Sequence, residues 1–243
     1  MKNIIYLLYQ PYKFLVLFPY VAVSTLFFGV SAALLSVIIN QKIGSLSGVV
    51  WARLIGWLTP MFFTIKGRGN INKDQSYVIV SNHQSQYDII MVYGWIGVDF
   101  KWVMKQELRK VPALGIACEK IGHIYIDRSN TEAALNSINT AKKKIKNGTS
   151  VLFFPEGTRS EDGKLMPFKK GAFKMAIDLG LPILPISING TREILPSKSI
   201  NLFPGKAGMT IHKPIDISEY NDSNLNELIN KTMNLIESSI ILK

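Results

Sequence analysis

YVIVSNHQSQYDIIMV, residues 77–92, predicts the strand-to-helix junction around which the chain is organised. The apolar run at residues 77–80 is typical of a buried strand, and its polar end would lie at the edge of a sheet, where loops carry function. The apolar residues that follow Asp88 indicate a helix that begins near residue 85 or 86. Such a helix would place Asp88 in its first turn, where the carboxylate can fold back towards the imidazole of His83.

His83 and Asp88 form a candidate general-base pair. A carboxylate at this spacing can hold one tautomer of the imidazole and stabilise the imidazolium, which leaves the second ring nitrogen free to take a proton from a hydroxyl. The spacing alone also fits a structural hydrogen-bonded pair, which is the commoner arrangement in proteins. The assignment of chemistry to this pair therefore depends on the rest of the chain.

A second informative segment, FPEGTRS, follows the apolar run at residues 150–154. Arg159 offers a planar fork of donors that suits a phosphate, and neighbouring hydroxyls add further donors. Gly157 has no side chain, so the backbone can approach a substrate closely. A salt-bridged turn explains the loop equally well when it is considered alone. The candidate ligand-binding residues of the loop are Glu156, Gly157, Thr158, Arg159 and Ser160.

Two further cationic candidates lie near other strand ends. Arg128 follows the short apolar run at residues 124–126, and Lys105 follows the aromatic-rich run at residues 100–104. Either side chain could join a phosphate site, and for Arg128 an ion pair with a nearby carboxylate is at least as good an interpretation.

Strand and helix signals alternate beyond residue 76. Continuous apolar runs predict strands that are buried on both faces, and periodic apolar segments predict amphipathic helices. This alternation predicts an α/β fold with a mostly parallel, mixed sheet flanked by helices and with its active site at strand ends. Besides the strand at 77–80, the expected strands are residues 100–104, 123–126, 150–154, 183–188 and 209–212, and the expected helices are residues 129–148, 170–179 and 225–236.

The N-terminal quarter of the chain is strongly apolar. No charged residue occurs between Lys13 and Lys42, and Arg53 is the one charge in the apolar stretch at residues 43–63. As a helix, residues 14–41 would be about 42 Å long, more than the ~30 Å of a bilayer core. We therefore expect a membrane-associated helical segment at residues 1–67 and a soluble domain at residues 68–243.

Three arrangements of this apolar segment are possible. It could form a tilted spanning helix followed by an interfacial stretch, or a helical hairpin embedded in one leaflet. It could also be a signal peptide cleaved near residues 31–33, although the apolar run is long and continues well past that point. The flanking lysines are too balanced to orient the segment by the positive-inside rule.

The composition favours an anionic partner, because the formal net charge is +11. Nucleic acid is not expected, since no binding motif accompanies the charge and the aromatic residues concentrate in the apolar N-terminal part. The single cysteine, Cys118, excludes an intrachain disulfide and fits a reducing compartment. Three scattered histidines with few acidic neighbours predict no metal site, and no P-loop, dinucleotide fingerprint or HExxH motif is present.

Four blocks occur in an order that resembles the glycerolipid acyltransferase family, and most closely the 1-acylglycerol-3-phosphate acyltransferases of bacterial type. They are NHxxxxD at residues 82–88, GxIxIDR at 122–128, FPEGTRS at 154–160 and LPILPI at 181–186. The third block is highly specific, and the match spans residues 78–186. The departures are mild: leucine and isoleucine stand where the last block often has valine, and a histidine follows Gly122.

The resemblance implies a glycerol-3-phosphate acyltransferase-like fold and a reaction. An acyl chain would pass from acyl-CoA or acyl-acyl carrier protein to the sn-2 hydroxyl of 1-acylglycerol-3-phosphate, giving phosphatidic acid without a cofactor. His83 would be the general base and Asp88 its orienting carboxylate. Arg159, with Arg128 and Lys105, would hold the acceptor's phosphate, and residues 156–157 would shape the acceptor pocket.

The same resemblance implies membrane lipids and, as one donor, acyl carrier protein as partners. It implies the inner, cytoplasmic membrane as the location, with the catalytic domain on the cytoplasmic face. Two alternatives remain open: an acyltransferase that acts on another lysolipid, and a membrane-bound lipid-binding protein whose catalytic site is idle.

Overall fold

The computed structural model describes residues 2–126, 145 and 148–241. Within these residues, the strands in chain order are β1 (Met61–Lys66), β2 (Val78–Ser81), β3 (Phe100–Lys105), β4 (Ile124–Ile126), β5 (Ser150–Phe153), β6 (Ile183–Asn189) and β7 (Gly205–Ile211). They form one sheet in the order β1-β7-β6-β2-β5-β3-β4. Every pairing is parallel except that of β6 with β7. The predicted mostly parallel, mixed sheet is therefore confirmed.

The helices flank the sheet on both faces. In chain order they are α1 (Lys2–Tyr12), α2 (Phe18–Ile38), α3 (Gln41–Leu58), α4 (Tyr87–Trp95), α5 (Leu114–Ile121), α6 (Gly171–Leu179), α7 (Thr191–Ile194) and α8 (Leu225–Glu237). One π-helical turn, Lys13–Leu17, joins α1 to α2 without a break. The helix predicted to begin at Ser129 lies outside the described residues.

Strand β2 lies in the middle of the sheet, between β5 and β6, and is buried along its whole length. Successive side chains of a strand point to opposite faces of the sheet. Ile79 accordingly packs into the apolar cluster that includes α3 and α4, whereas Val78 and Val80 pack into the cluster that includes α6 and α8. This double-sided burial fixes the position of the residues that follow β2.

The N-terminal helices form a hairpin that packs against α4 and α5 of the sheet domain. The Asn40 side chain accepts a hydrogen bond from the backbone N–H of Ile43 at 2.9 Å and so begins α3. At the crossing of α2 and α3, a Cβ on Gly44 would lie 2.7 Å from the carbonyl oxygen of Ala32, so the approach needs glycine. On the other side of α3, Ser45 and Tyr93 share a buried hydrogen bond of 3.2 Å.

Residues Leu7–Ile38 form a helical stretch that is long and apolar enough to cross a membrane, and an 18-residue window within it has a mean hydropathy of 2.2. Only 17% of that window is buried within the protein, and the exposed side chains of the helix include Phe27, Leu34 and Val37. One of the predicted arrangements was a helical hairpin, and α2 and α3 form such a hairpin. Its placement relative to a bilayer stays a prediction.

Strand β1 corrects one prediction from the sequence, which placed residues 61–66 in the membrane-associated helical segment at residues 1–67. The structure instead pairs β1 with β7, from Met61 opposite Gly205 to Lys66 opposite Thr210. Exposed and less exposed side chains alternate along β1, as in an edge strand, but the aromatic and apolar residues hid this pattern. The sheet therefore begins before residue 68, and the division into two domains stays a prediction.

Candidate active site

The candidate site lies where neighbouring parallel strands end. Strand β2 pairs in parallel with β5 on one side and β6 on the other. The segments that leave these three strands therefore meet at the carboxyl edge of the sheet, where open α/β sheets bind ligands. They carry His83, the loop at residues 154–160 and Thr191.

The predicted contact between His83 and Asp88 is present. The imidazole Nδ1 lies 2.8 Å from Oδ2 of Asp88, which is fully buried in the first turn of α4. With Nδ1 facing the carboxylate, Nε2 is the ring nitrogen left for a substrate. The His83 side chain is 14% exposed, so the site is shielded without being sealed.

The Asp88 carboxylate is held by donors on both oxygens. Oδ2 also accepts from the backbone N–H groups of Gln84 at 2.7 Å and Ser85 at 2.8 Å. Oδ1 accepts from the hydroxyl of Thr191, the first residue of α7. Donors of this number suit an ionised carboxylate, and the start of a helix favours negative charge. Asp88 can therefore fix the imidazole tautomer and stabilise the imidazolium.

An aromatic stack fixes the plane of the histidine. The ring of His83 lies on Phe154 with centroids 3.9 Å apart and an interplanar angle of 10°. Phe154 in turn stacks on Trp102 of β3 at 5.7 Å. Neither aromatic residue was predicted to have a role, and the signal that could have marked Phe154 is its position directly after a buried strand.

Glu156 and Ser160 contact the backbone of His83, and their predicted contact with an acceptor stays a prediction. Oε1 of Glu156 accepts from the His83 N–H at 2.6 Å, and the Ser160 N–H donates to the His83 carbonyl at 2.8 Å. The Ser160 hydroxyl is used within its own loop, with Asp162 and the N–H of Gly163. Both side chains are buried because the loop folds back under the histidine, which the sequence could not show.

Asn82 and Gln84 extend the β2–β6 contact beyond the last residue of β2. The Asn82 carboxamide accepts from the N–H of Ile188 at 2.7 Å and donates to its carbonyl at 2.9 Å, as a peptide group would. The Gln84 amide donates to the same carbonyl at 2.6 Å. The residues on either side of His83 are thus tied to β6.

The predicted cations fall into two groups. Arg159 is partly exposed, Lys105 is exposed at the end of β3, and neither forms an ion pair with another described residue. Arg128 lies outside the described residues. A phosphate-binding role for Arg159 and Lys105 stays a prediction, as does a role for the exposed Thr158.

Gly157 adopts a left-handed backbone conformation with φ of 77°. A Cβ at this position would lie 2.9 Å from Nζ of Lys169, so the lysine side chain lies over the glycine. Gly157 is therefore needed both for the turn and for this close approach, and its predicted contact with an acceptor is untested.

The remaining histidines lie away from this site. His123 is buried, Nδ1 accepts from the Trp102 N–H at 3.3 Å, and burial lowers the pKa of this imidazole to about 3. Nε2 of His212 lies 2.7 Å from the hydroxyl of Ser187. In the described part of the chain, no group of three or more His, Cys, Asp or Glu side chains could hold a metal ion.

Comparisons with known proteins all point to acyltransferases. A family model described as Acyltransferase matches residues 62–189. The chain is 33% identical over 199 residues to a 1-acyl-sn-glycerol-3-phosphate acyltransferase of Haemophilus influenzae, covering 79% of this chain and 81% of that protein. It is 37% identical over 169 residues to a chloroplastic 1-acyl-sn-glycerol-3-phosphate acyltransferase of Brassica napus.

The Brassica napus match covers 68% of this chain and 48% of that protein, and the chain spans about half the length of the first plant and algal relatives it matches. Among solved structures, the 1-acyl-sn-glycerophosphate (LPA) acyltransferase PlsC of Thermotoga maritima superimposes with a TM-score of 0.80 at 28% identity. That match covers 98% of this chain and 95% of the other.

Proposed function

Because this chain belongs to the acyltransferase family, we propose that it transfers an acyl chain to the sn-2 hydroxyl of 1-acylglycerol-3-phosphate. The product would be phosphatidic acid, and the donor would be a thioester, acyl-CoA or acyl-acyl carrier protein. The observation that carries the proposal is the hydrogen bond between Nδ1 of His83 and the buried Asp88 carboxylate. It leaves Nε2 as a base at the open side of the site.

In the reaction that we propose, Nε2 of His83 takes the proton of the acceptor hydroxyl as its oxygen attacks the thioester carbonyl. The tetrahedral intermediate then collapses, the carbon–sulfur bond breaks, and the imidazolium returns the proton to the thiolate. General-base assistance of this kind contributes about 10²- to 10⁴-fold in rate. The acceptor hydroxyl is itself the nucleophile, so we expect no acyl-enzyme, cofactor or metal.

A phosphate on the acceptor would be held by cations beside the histidine. The Ser160 N–H donates to the His83 carbonyl. Arg159 directly precedes Ser160, so the backbone of Arg159 lies next to His83. Lys105 is the last residue of β3, which pairs in parallel with β5, so it lies at the same edge of the sheet. A guanidinium binds phosphate with two parallel hydrogen bonds, and an ammonium adds a point charge.

A membrane location would suit both the acceptor and the product, which carry acyl chains. The helix Leu7–Ile38 exposes apolar side chains over most of its length, and the net charge of +11 favours anionic lipids or an acidic carrier protein. We propose the cytoplasmic face of the inner membrane for the catalytic domain, because the acyl thioesters are formed in the cytoplasm.

The test is acyl transfer in detergent micelles with radiolabelled acyl-CoA and a panel of lysolipids, repeated with acyl-acyl carrier protein. Conversion of 1-acylglycerol-3-phosphate to phosphatidic acid, faster than any other acceptor, supports the proposal. Preference for a different lysophospholipid would change the acceptor and keep the chemistry. If neither donor acylates any lysolipid, the chain is a lipid-binding protein with an idle site.

A further inference from the structure

Two acidic side chains of the described residues are buried, Asp88 and Glu156, and both accept a hydrogen bond from the same residue. Asp88 binds the ring of His83, and Glu156 binds its backbone N–H. The second carboxylate has no part in the proton transfer, because it does not contact the imidazole nitrogens. Its burial therefore needs another explanation.

The Glu156 carboxylate bridges two backbone segments. Oε1 accepts from the N–H of His83 at 2.6 Å, and Oε2 accepts from the N–H of Met166 at 3.0 Å. No cation of the described residues forms an ion pair with it. A buried carboxylate without a cation is costly unless each oxygen has a donor, and charge-assisted hydrogen bonds are the strong ones.

The same loop binds His83 at two further points. The Ser160 N–H donates to the His83 carbonyl at 2.8 Å, and the imidazole lies on the ring of Phe154. Residues 154–160 thus contact the backbone N–H, the backbone carbonyl and the ring face of the histidine. Asp88 contacts a different part of the same residue, the ring nitrogen Nδ1.

We propose that Glu156 is a positioning residue, which acts through His83 by holding its backbone so that Nε2 faces the acceptor hydroxyl. The inference rests on the proposed function, since it concerns the same acyl transfer. It assigns Glu156 to the alignment of the base and leaves the binding of the acceptor to Arg159. A displacement of a catalytic group by 1 Å costs about 100-fold in rate. Loss of the Glu156 hydrogen bond should therefore lower kcat more than it raises the KM of either substrate.

The carboxylate must be ionised to accept at both oxygens, because a protonated carboxyl presents an O–H to one of the two N–H groups. The charged and titratable groups near it are His83 and Asp88 on the β2–α4 segment and Lys169 over Gly157 of its own loop. Burial, with a smaller contribution from the charge of Asp88, raises the pKa of Glu156 to about 7. Acid should therefore release the support near neutral pH.

The experiment compares Glu156→Gln and Glu156→Ala with wild type on the lysolipid that is acylated best. Gln keeps one acceptor oxygen and Ala keeps none, so kcat should fall about 10-fold in the first and about 100-fold or more in the second. The KM of either substrate should change less than about twofold. Glu161→Gln is the matched control, because that carboxylate is exposed and pairs with Lys198, and it should leave kcat and KM unchanged.

The acid limb of the kcat profile supplies a readout that a purely structural role would not change. In wild type the protonation of Glu156 should lower kcat about 10-fold as the pH falls through about 7. In Glu156→Gln, which has no carboxylate to protonate, this fall should be absent. An acid limb of the same steepness in both proteins, or a rise in acceptor KM like that of an Arg159 variant with kcat retained, would overturn the inference.

Amide hydrogen exchange separates this inference from the proposed function. Loss of the Glu156 acceptor should speed exchange of the His83 amide in Glu156→Ala and leave it unchanged in Glu161→Gln, whether or not wild type is active. Failure of wild type to acylate any lysolipid refutes the proposed function alone. Equal exchange of the His83 amide in wild type and Glu156→Ala refutes the positioning role.

Discussion

Replacing Asp88 with asparagine should remove the charge of the orienting group and keep its geometry. The asparagine carbonyl can take the place of Oδ2, which accepts from His83 Nδ1 and from the N–H groups of Gln84 and Ser85. The asparagine NH₂ would then face the hydroxyl of Thr191, which can rotate from donor to acceptor. The variant should therefore fold, and the imidazole should keep its tautomer.

The expected loss follows from the charge on the imidazole in the transition state. With the contacting atoms 2.8 Å apart, the two charge centres lie about 4 Å apart, and their attraction at an effective dielectric constant of about 20 is about 4 kcal/mol. Full loss of that energy would lower the rate about 10³-fold. Proton transfer is only partial in the transition state, so we expect kcat to fall about 10²- to 10³-fold.

The assay is the initial rate of acyl transfer under saturating donor and acceptor, with circular dichroism and thermal unfolding as checks of the fold. Asp216→Asn serves as the control, since this exposed carboxylate caps a turn at Ser218 outside the site. The KM values should stay within about twofold of wild type. Unchanged turnover by a correctly folded Asp88→Asn protein would refute the assignment of Asp88 to stabilising the imidazolium.

Three further predictions concern binding, packing and pH. Arg159→Ala should raise the acceptor KM about 10- to 100-fold, from the loss of charge-assisted hydrogen bonds; an equal rise in donor KM would count against phosphate binding. Gly44→Ala should lower the free energy of unfolding by about 1–3 kcal/mol in chemical denaturation. Gly29→Ala should not, because a Cβ at Gly29 would have no atom nearer than 3.5 Å. Equal stabilities of the two variants would refute the close approach of α2 and α3 at Gly44. Burial raises the pKa of Glu156 from 4.5 to about 7, so its protonated form should stabilise the fold below pH 4.5. This contribution, on the order of 3 kcal/mol, should be lost as the pH rises through 7. Parallel curves of stability against pH for wild type and Glu156→Gln would contradict this.

The parts of the site that the sequence could predict are those set by local pattern. The apolar run before Ser81 and the apolar residues after Asp88 indicate a buried strand and a helix, and the structure has both, with Asp88 in the first turn. Five residues across such a junction bring a side chain back over the strand end. The contact between His83 and Asp88 was therefore within reach of local reasoning.

The parts that the sequence could not predict depend on contacts between distant segments. Thr191 donates to Asp88 across a separation of 103 residues, and nothing in its own neighbourhood marks it. The hydrogen bond between Glu156 and the His83 N–H joins residues 73 apart in the chain, because the direction of a side chain in a loop is set by the segments packed against it. Strand β1 was hidden for the same reason, since its partner β7 lies far along the chain.

The most direct test of the account is the rate of phosphatidic acid formation from 1-acylglycerol-3-phosphate by wild type and by His83→Ala at the same protein concentration. His83→Ala removes the base and leaves Arg159 and the fold in place. The account predicts product with wild type and a loss of at least about 10²-fold with the variant, at an unchanged acceptor KM. Comparable rates in the two proteins would contradict the assignment of His83 as the base.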